Sequence, residues 1–415
     1  MTNFEREHLR GLARRTAEAA ALPIMAQRRK WWTQLNDGVC SQPLVTFEYN
    51  GHWDDVYPKL VCETPAARQA EYEMVFRLFC HEYIGDDRVI DAQVRMAAGH
   101  WFQSFGRDVA RTQAVDENGK ETIGFADIYP VRDFADDFAE FTPSTWFVDE
   151  GLKATMAKVD EVREAVGDII DVIPALPAPS YYPAYDILHL CGMETMLFAL
   201  VDEPELFHQL IGRLTDEKMA FLDEMEQKGG LVLNNNGTWV GQGTCGYTSQ
   251  LPRGNGPIAL TDLWGYSNSQ ETVTVSPDMF DEFFFPYIKR FLERFGLSSF
   301  GCCEPIDVFW ERSLSRINNL RKVSVSPWNN EEKVGEYLRG KGIVYHRKPF
   351  PNDVGVDAVF NEDKLRAQLT KSTIAARGCP LEITYRDVLS VQGEPWRMQR
   401  AVAIAREVFV EHYRT

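Results

Sequence analysis

Short β-rich runs and longer stretches of helical period take turns along this chain. The runs Leu44–Glu48, Val89–Arg95, Ile169–Ile173, Leu231–Asn235, Ser299–Cys303, Lys322–Ser326, Ile343–His346 and Leu381–Tyr385 have the composition and flanking turn residues of strands. Between them, apolar positions recur with helical spacing over Ala66–Tyr83, Lys153–Val166, Glu194–Lys228, Pro277–Phe295, Ile306–Ile317, Glu331–Arg339, Glu362–Ala376 and Trp396–Tyr413. Two boundaries are marked chemically. Ser276 before Pro277 is an N-cap followed by proline at the first helical position, and Glu203-Pro204 predicts a break in the longest stretch.

Strands that alternate with helices imply a parallel sheet. Eight such units, with no glycine-rich phosphate fingerprint after the first strand, favour a closed barrel over an open doubly wound sheet. The pattern therefore predicts an α/β protein, a (β/α)8 TIM barrel, with residues 1–415 forming a single domain. Two regions depart from the rhythm. Residues 1–40 read as an N-terminal helical extension, charged and amphipathic to about Trp32. Residues 99–150 read as an inserted hairpin region, because Asn118-Gly119 is a hairpin-turn signal. Residues 236–268, rich in glycine, read as a long loop, and loops of that length are usually functional or lid-like.

Composition removes several classes of function. A formal net charge of -17 argues against a nucleic-acid partner, which requires a basic face. No run of eighteen apolar residues occurs, so no membrane span is expected, and the first thirty residues lack the apolar stretch of a secretory signal. The eight cysteines are scattered and contain no CxxC pair, the usage of reduced thiols in a cytoplasmic protein. Adjacent Cys302-Cys303 is their one unusual placement.

In barrels of this kind the chemistry sits at the C-terminal ends of the strands. Those ends carry Asn234, Asn235 and Asn236 with Trp239 just beyond; Cys302-Cys303-Glu304-Pro305 at the end of the fifth strand; Ser326-Pro327-Trp328; His346-Arg347-Lys348; and Tyr385-Arg386-Asp387. Glu271 lies in the loop before the Pro277 helix. A thiolate, an imidazole and a carboxylate at neighbouring ends can hold zinc and leave one position for a substrate oxygen, nitrogen or thiol. The alternative is that Cys302 and Cys303 are small packing residues, only one of which faces the lumen. The asparagines either donate to a polar substrate or cap the strand. His52, His81, His100, His189, His208 and His412 have no partner at ligand spacing and read as structural or exposed.

The blocks Asp262-Leu263-Trp264-Gly265, Val275-Ser276-Pro277, Leu292 to Leu297, Gly301-Cys302-Cys303-Glu304-Pro305 and Asn319 to Trp328 resemble the uroporphyrinogen decarboxylase-like superfamily, most closely its corrinoid-dependent methyltransferase branch. The resemblance implies a TIM barrel and zinc-assisted transfer of a methyl group from a small methylated compound to a corrinoid. In that branch a His-x-Cys motif ends the fifth strand. Cys303 matches its cysteine, but Gly301 stands where the histidine is expected, and Cys379 precedes the last strand rather than following it. On this basis the expected metal ligands are Glu271, Cys302, Cys303 and His346, and the expected catalytic residues are Cys303, Glu304 and Asp387. Asn235, Asn236, Trp239 and Lys348 are expected to line the substrate pocket. The expected partners are a small O- or N-methylated compound and a separate cobalamin-carrying protein, since no Asp-x-His-x-x-Gly corrinoid motif occurs; a homodimer is compatible. Two alternatives stand beside this reading: a metal-free lyase of the decarboxylase type, and a non-catalytic barrel that binds a small ligand. The decarboxylases' arginine-rich substrate motif is replaced here by the acidic, aromatic stretch Phe47 to Asp54.

Overall fold

The computed structural model describes residues 1–49, 56–99, 101–115, 121–251 and 256–413, with the backbone alone at 101 and 121–125. The Asn118-Gly119 turn, His52, His100 and most of the acidic stretch after Tyr49 lie outside the described residues.

The chain opens with α1 (Asn3–Ala20) and α2 (Pro23–Asn36), then β1 (Leu44–Tyr49), α3 (Pro65–Phe79) and β2 (Gln93–Ala97). The inserted region carries β3 (Trp101–Gln103), β4 (Arg111–Val115), β5 (Glu121–Asp127) and β6 (Thr145–Phe147). There follow α4 (Val148–Val166), β7 (Asp171–Ala175), β8 (Ser180–Tyr181), α5 (Pro183–Asp202) and α6 (Pro204–Gln227). The rest alternates: β9 (Trp264–Ser267), α7 (Pro277–Phe283), α8 (Phe285–Leu292), β10 (Leu297–Phe300), β11 (Leu320–Val325), α9 (Glu331–Leu338), β12 (Val344–Arg347), α10 (Glu362–Ala375), β13 (Leu381–Val388) and α11 (Trp396–His412).

The core is a seven-stranded sheet in the order β1-β13-β12-β11-β10-β9-β8, and every neighbouring pair in it is parallel. First and last strands of the chain are thus neighbours, as in a TIM-barrel-like arrangement. β2 and β7 form a separate parallel pair. The outer edge of β1 is occupied by Asp86 and Asp87, whose carboxylates accept from Phe47 N (3.1 Å) and Val45 N (2.9 Å). The inserted region contains the expected hairpin, β4 against β5, and a second antiparallel pair, β3 against β6.

Several expectations need correction. Leu231–Asn235 is not a strand. Asn234 does with its side chain what a strand would do with its backbone: Oδ1 accepts from Trp264 N (2.9 Å) and Nδ2 donates to Trp264 O (3.1 Å). The strand expected there is supplied by β9, inside the region read as loop. Its Gly265 is demanded by packing, because a Cβ would lie 2.2 Å from the Phe295 ring. The strand before the cysteines ends at Phe300, so Gly301 to Cys303 form a turn just beyond it. Ile306–Ile317 has only short 3-10 turns, and the N-terminal helix is two helices, with Pro23 opening the second. The expected N-cap holds: Ser276 Oγ accepts from Met279 N. The break at Glu203-Pro204 is also present, between α5 and α6. α5 is long and apolar enough to cross a membrane by length and composition, and half of that stretch is buried in the protein, as in a core helix.

Candidate functional site

The turn after β10 is built by backbone constraint. Gly301 has φ +103, a left-handed conformation that side chains rarely adopt, and a Cβ there would lie 3.2 Å from Ser324 Cβ. This is why glycine stands where the resemblance expects a histidine. The next residues are tied to the neighbouring strands. The Cys302 carbonyl accepts from Ser324 Oγ (2.9 Å) and Lys348 Nζ (3.0 Å), and the Cys303 carbonyl accepts from Ser326 Oγ (2.8 Å). Glu304 is fully buried; one oxygen accepts from Cys302 N (2.7 Å) and the other from Ser269 N (2.8 Å). It clamps the turn to the segment after β9, so both oxygens are spent on position.

The clamp leaves the two thiols side by side, with Sγ atoms 3.6 Å apart. Cys303 is lowered to about 7, chiefly because Cys302 donates its S–H to it, with Lys348 reinforcing the effect against burial. Cys302 is raised correspondingly, by giving that hydrogen bond and by its own burial. The pair therefore loosens one proton, that of Cys303, toward neutral pH at the C-terminal end of the sheet.

Around this pair lie other polar groups, many of them already engaged. His346 Nε2 meets Thr384 Oγ1 at 2.9 Å and stands 3.8 Å from Glu382; burial and the nearby Lys348 and Lys322 hold its pKa well below the usual range. Glu382 in turn binds Lys322 (2.9 Å) and Thr244 (2.7 Å). Lys348 is buried at the mouth. Asp387 is half-exposed at the end of β13 with φ +59, and Arg386 beside it donates to Glu48 Oε2 at 2.5 Å. Glu48 is buried, its Oε1 has no hydrogen-bond partner, and burial raises its pKa in spite of Arg386 and Arg88. Glu271 is similar: it is buried, its Oε2 is unpartnered, and its pKa is raised by burial and, further down, by Glu304 and Asp186. Asp186 itself is raised to about 6 by burial, and Lys218 is lowered to about 8 in the same way. Tyr182 is raised to about 12, chiefly by burial against a hydrogen bond with Ser180, with Cys302 and Asp186 adding to the rise.

The expected pocket residues scatter. Asn235 is buried. Asn236 serves its own loop, accepting from Thr238 N at its side chain (2.8 Å) and from Gly246 N at its carbonyl (3.0 Å). Trp239 lines a cavity of about 120 Å³ with Thr46, Phe76, Arg88 and Cys245, and Thr46 meets Thr384, the partner of His346. Lys348 touches the cysteine turn.

The expected zinc ligands do not fit a metal. Among the described residues, the group of His, Cys and carboxylate atoms mutually within 4.8 Å is His8, Cys62 and Glu71, far along the chain from Glu271, Cys302, Cys303 and His346. Physical reasons are visible at each position. His346 is held by Thr384, Gly301 cannot be a histidine, and Lys348 already places a positive charge beside the thiols. Glu48 was missed by sequence reasoning. Its signal was its place at the end of the first strand beside Arg386 at the end of the last, two strands that must be neighbours in a barrel. His8 was missed too, on a helix that looked merely amphipathic. Cys379, buried ahead of β13, lies at the opposite end of the sheet from the site.

No family model matches the chain, and no curated protein matches its sequence. Among solved structures, a methyltransferase from Methanosarcina mazei superposes with a TM-score of 0.53 at 12% identity, covering 92% of this chain and 99% of that one. At that identity the likeness is one of fold.

Proposed function

We propose that this protein is a methyltransferase of the uroporphyrinogen decarboxylase-like superfamily. It would demethylate a small O- or N-methylated compound and deliver the methyl group to a corrinoid on a separate protein. The observation that carries the reading is the Cys302-Cys303 pair, with its Cys303 thiolate beside Lys348, at the strand-end face of a fold shared with a methyltransferase. The closed eight-stranded barrel belongs to the same proposal.

The corrinoid supplies the methyl acceptor. Cys303 faces the substrate as a negatively charged group that orients the methyl group, its proton loosened by the Cys302 S–H and by Lys348, and the methyl group itself passes to the corrinoid. Glu271, whose proton is favoured by burial, returns that proton to the departing oxygen or nitrogen, so that R–O–CH3 leaves as R–OH. Glu304 holds the turn in register without touching substrate, and Asp387 stands at the rim. Among the described residues, those at this turn do not gather the three close ligand atoms that a zinc ion needs.

The test is a spectrophotometric assay of cobalamin methylation with purified protein and a panel of methyl ethers and methylamines. Turnover that vanishes in Cys303→Ser supports the reading; no methylation with any donor defeats it. A second reading, a metal-free lyase, is favoured by the cations Arg88, Arg386 and buried Lys348, which suit a carboxylate substrate. Release of carbon dioxide without corrinoid would select it.

A further inference from the structure

We propose that His8, Cys62 and Glu71 form a zinc-class metal site that fastens the first helix to the third. This inference is independent of the methyl-transfer reading. It rests on a cluster at the N-terminal flank of the molecule.

The three residues come from three segments: His8 from α1, Cys62 from the stretch ahead of α3, and Glu71 from α3. Their ligand atoms, an imidazole nitrogen, a thiol sulfur and a carboxylate oxygen, all lie within 4.8 Å of one another. Zinc binds such groups at about 2.0–2.3 Å, which sets tetrahedral ligands roughly 3.5 Å apart, so small side-chain movements suffice. The mixture of one soft and two harder donors suits zinc over calcium or magnesium.

The surroundings are prepared. Cys62 and Glu71 are fully buried, and the His8 side chain is 32% exposed, leaving a route for the ion and a fourth position for water. Glu71 accepts from Val61 N and Cys62 N, and Glu5 accepts from Glu63 N and Thr64 N, so four successive N–H groups are held by two carboxylates. That lattice fixes the Cys62 backbone beside Glu71 before any ion arrives. The only basic side chain in ion-pair distance of Glu71 among the described residues is His8, at 2.8 Å. Arg68 is turned to the Cys62 carbonyl. A buried carboxyl group next to a buried thiol, held by backbone N–H groups and facing a histidine as its one basic side chain at ion-pair distance among the described residues, is a place where a divalent cation adds charge.

On binding, the Cys62 S–H gives its proton to solvent and the sulfur takes the metal. The His8–Glu71 hydrogen bond opens, and each partner turns its lone pair to the same ion. Nothing is oxidised or reduced.

The experiment is titration of the full-length, chelator-treated protein with zinc, and with cobalt(II) as a spectroscopic probe. The expected result is one ion per chain, a thiolate-to-cobalt charge-transfer band, and an unfolding midpoint that rises with free metal. His8→Gln and Cys62→Ser should each weaken binding by about 10- to 100-fold or more, whereas the Cys302→Ser/Cys303→Ser double variant should bind as the parent does. His8 is on a partly exposed face, so His8→Gln keeps the test valid should Cys62→Ser fail to fold. Binding that survives His8→Gln, that disappears in the Cys302/Cys303 double variant, or that shows no sulfur ligand would overturn the site.

Discussion

Two places in this molecule set a cysteine beside a glutamate, and they tune the thiol in opposite directions. At the strand-end turn, Glu304 spends both oxygens on backbone N–H groups, and the partner facing Cys303 is another thiol with Lys348 behind it. The Cys303 proton is loosened, to about 7. At the N-terminal flank, Cys62 is buried against Glu71, and burial followed by that carboxylate pushes its thiol up to about 12. Residue types are shared, and both glutamates take backbone N–H donors at both oxygens; what differs is what faces the sulfur, a second thiol backed by Lys348 at Cys303 and the Glu71 carboxylate itself at Cys62. One arrangement yields a reactive thiolate. The other yields an inert thiol that only a metal cation would deprotonate.

The largest effect that can break this comparison is chemical. Cys303→Ser should lower methyl transfer by about 100-fold, or ~2.7 kcal/mol in the barrier, while Cys62→Ser leaves it within a factor of about two. Equal losses in the two variants would mean that the pair at the turn has no special standing. Next in size is the clamp. Glu304→Gln places an amide N–H₂ against one of two backbone N–H donors and should destabilise the fold by about 2 kcal/mol, read as a lower midpoint in urea. Cys303 should then alkylate with a higher apparent pKa, because the turn no longer holds Cys302 against it.

How much of this was legible in the chain depends on where the deciding atoms come from. β11, β12 and β13 with α9, α10 and α11 follow their own periodicity, and they stand where the pattern put them. β9 was hidden because Trp264-Gly265-Tyr266-Ser267 is short and contains a glycine whose reason is the Phe295 ring, thirty residues away in sequence. Leu231–Asn235 looked like a strand, and the side chain of Asn234 took over the pairing instead. The cysteine turn was legible, since strand ends are where a parallel sheet exposes chemistry. The ligand set was not, because gathering three atoms within a few ångströms is a matter of distances that spacing along a chain does not encode. The His8, Cys62 and Glu71 cluster brings together side chains from residues 8 to 71 that no motif links.

A smaller effect tests the backbone beneath the thiols. Gly301→Ala forces a left-handed conformation on a residue with a Cβ, beside Ser324, and should cost about 1–2 kcal/mol of stability. Thermal unfolding reads it. A neutral outcome would show that the turn can relax, and that glycine is not what keeps a histidine from this position.

The smallest effect separates the two cysteines by sign alone. Both start from an ordinary value of 9.0. Cys303 holds its proton less tightly folded than unfolded, so it contributes stability above about pH 9, and that contribution fades as pH falls toward about 7. Cys62 holds its proton more tightly folded, so its contribution is complete below about pH 9 and is lost as pH rises toward about 12. Urea midpoints of the metal-free parent, Cys303→Ser and Cys62→Ser should therefore diverge in opposite directions between pH 7 and pH 10. Relative to the parent, Cys303→Ser should fall behind as pH rises, and Cys62→Ser should gain. Parallel curves would show that neither thiol titrates differently in the folded chain, and the contrast between the two cysteines would lose its electrostatic basis.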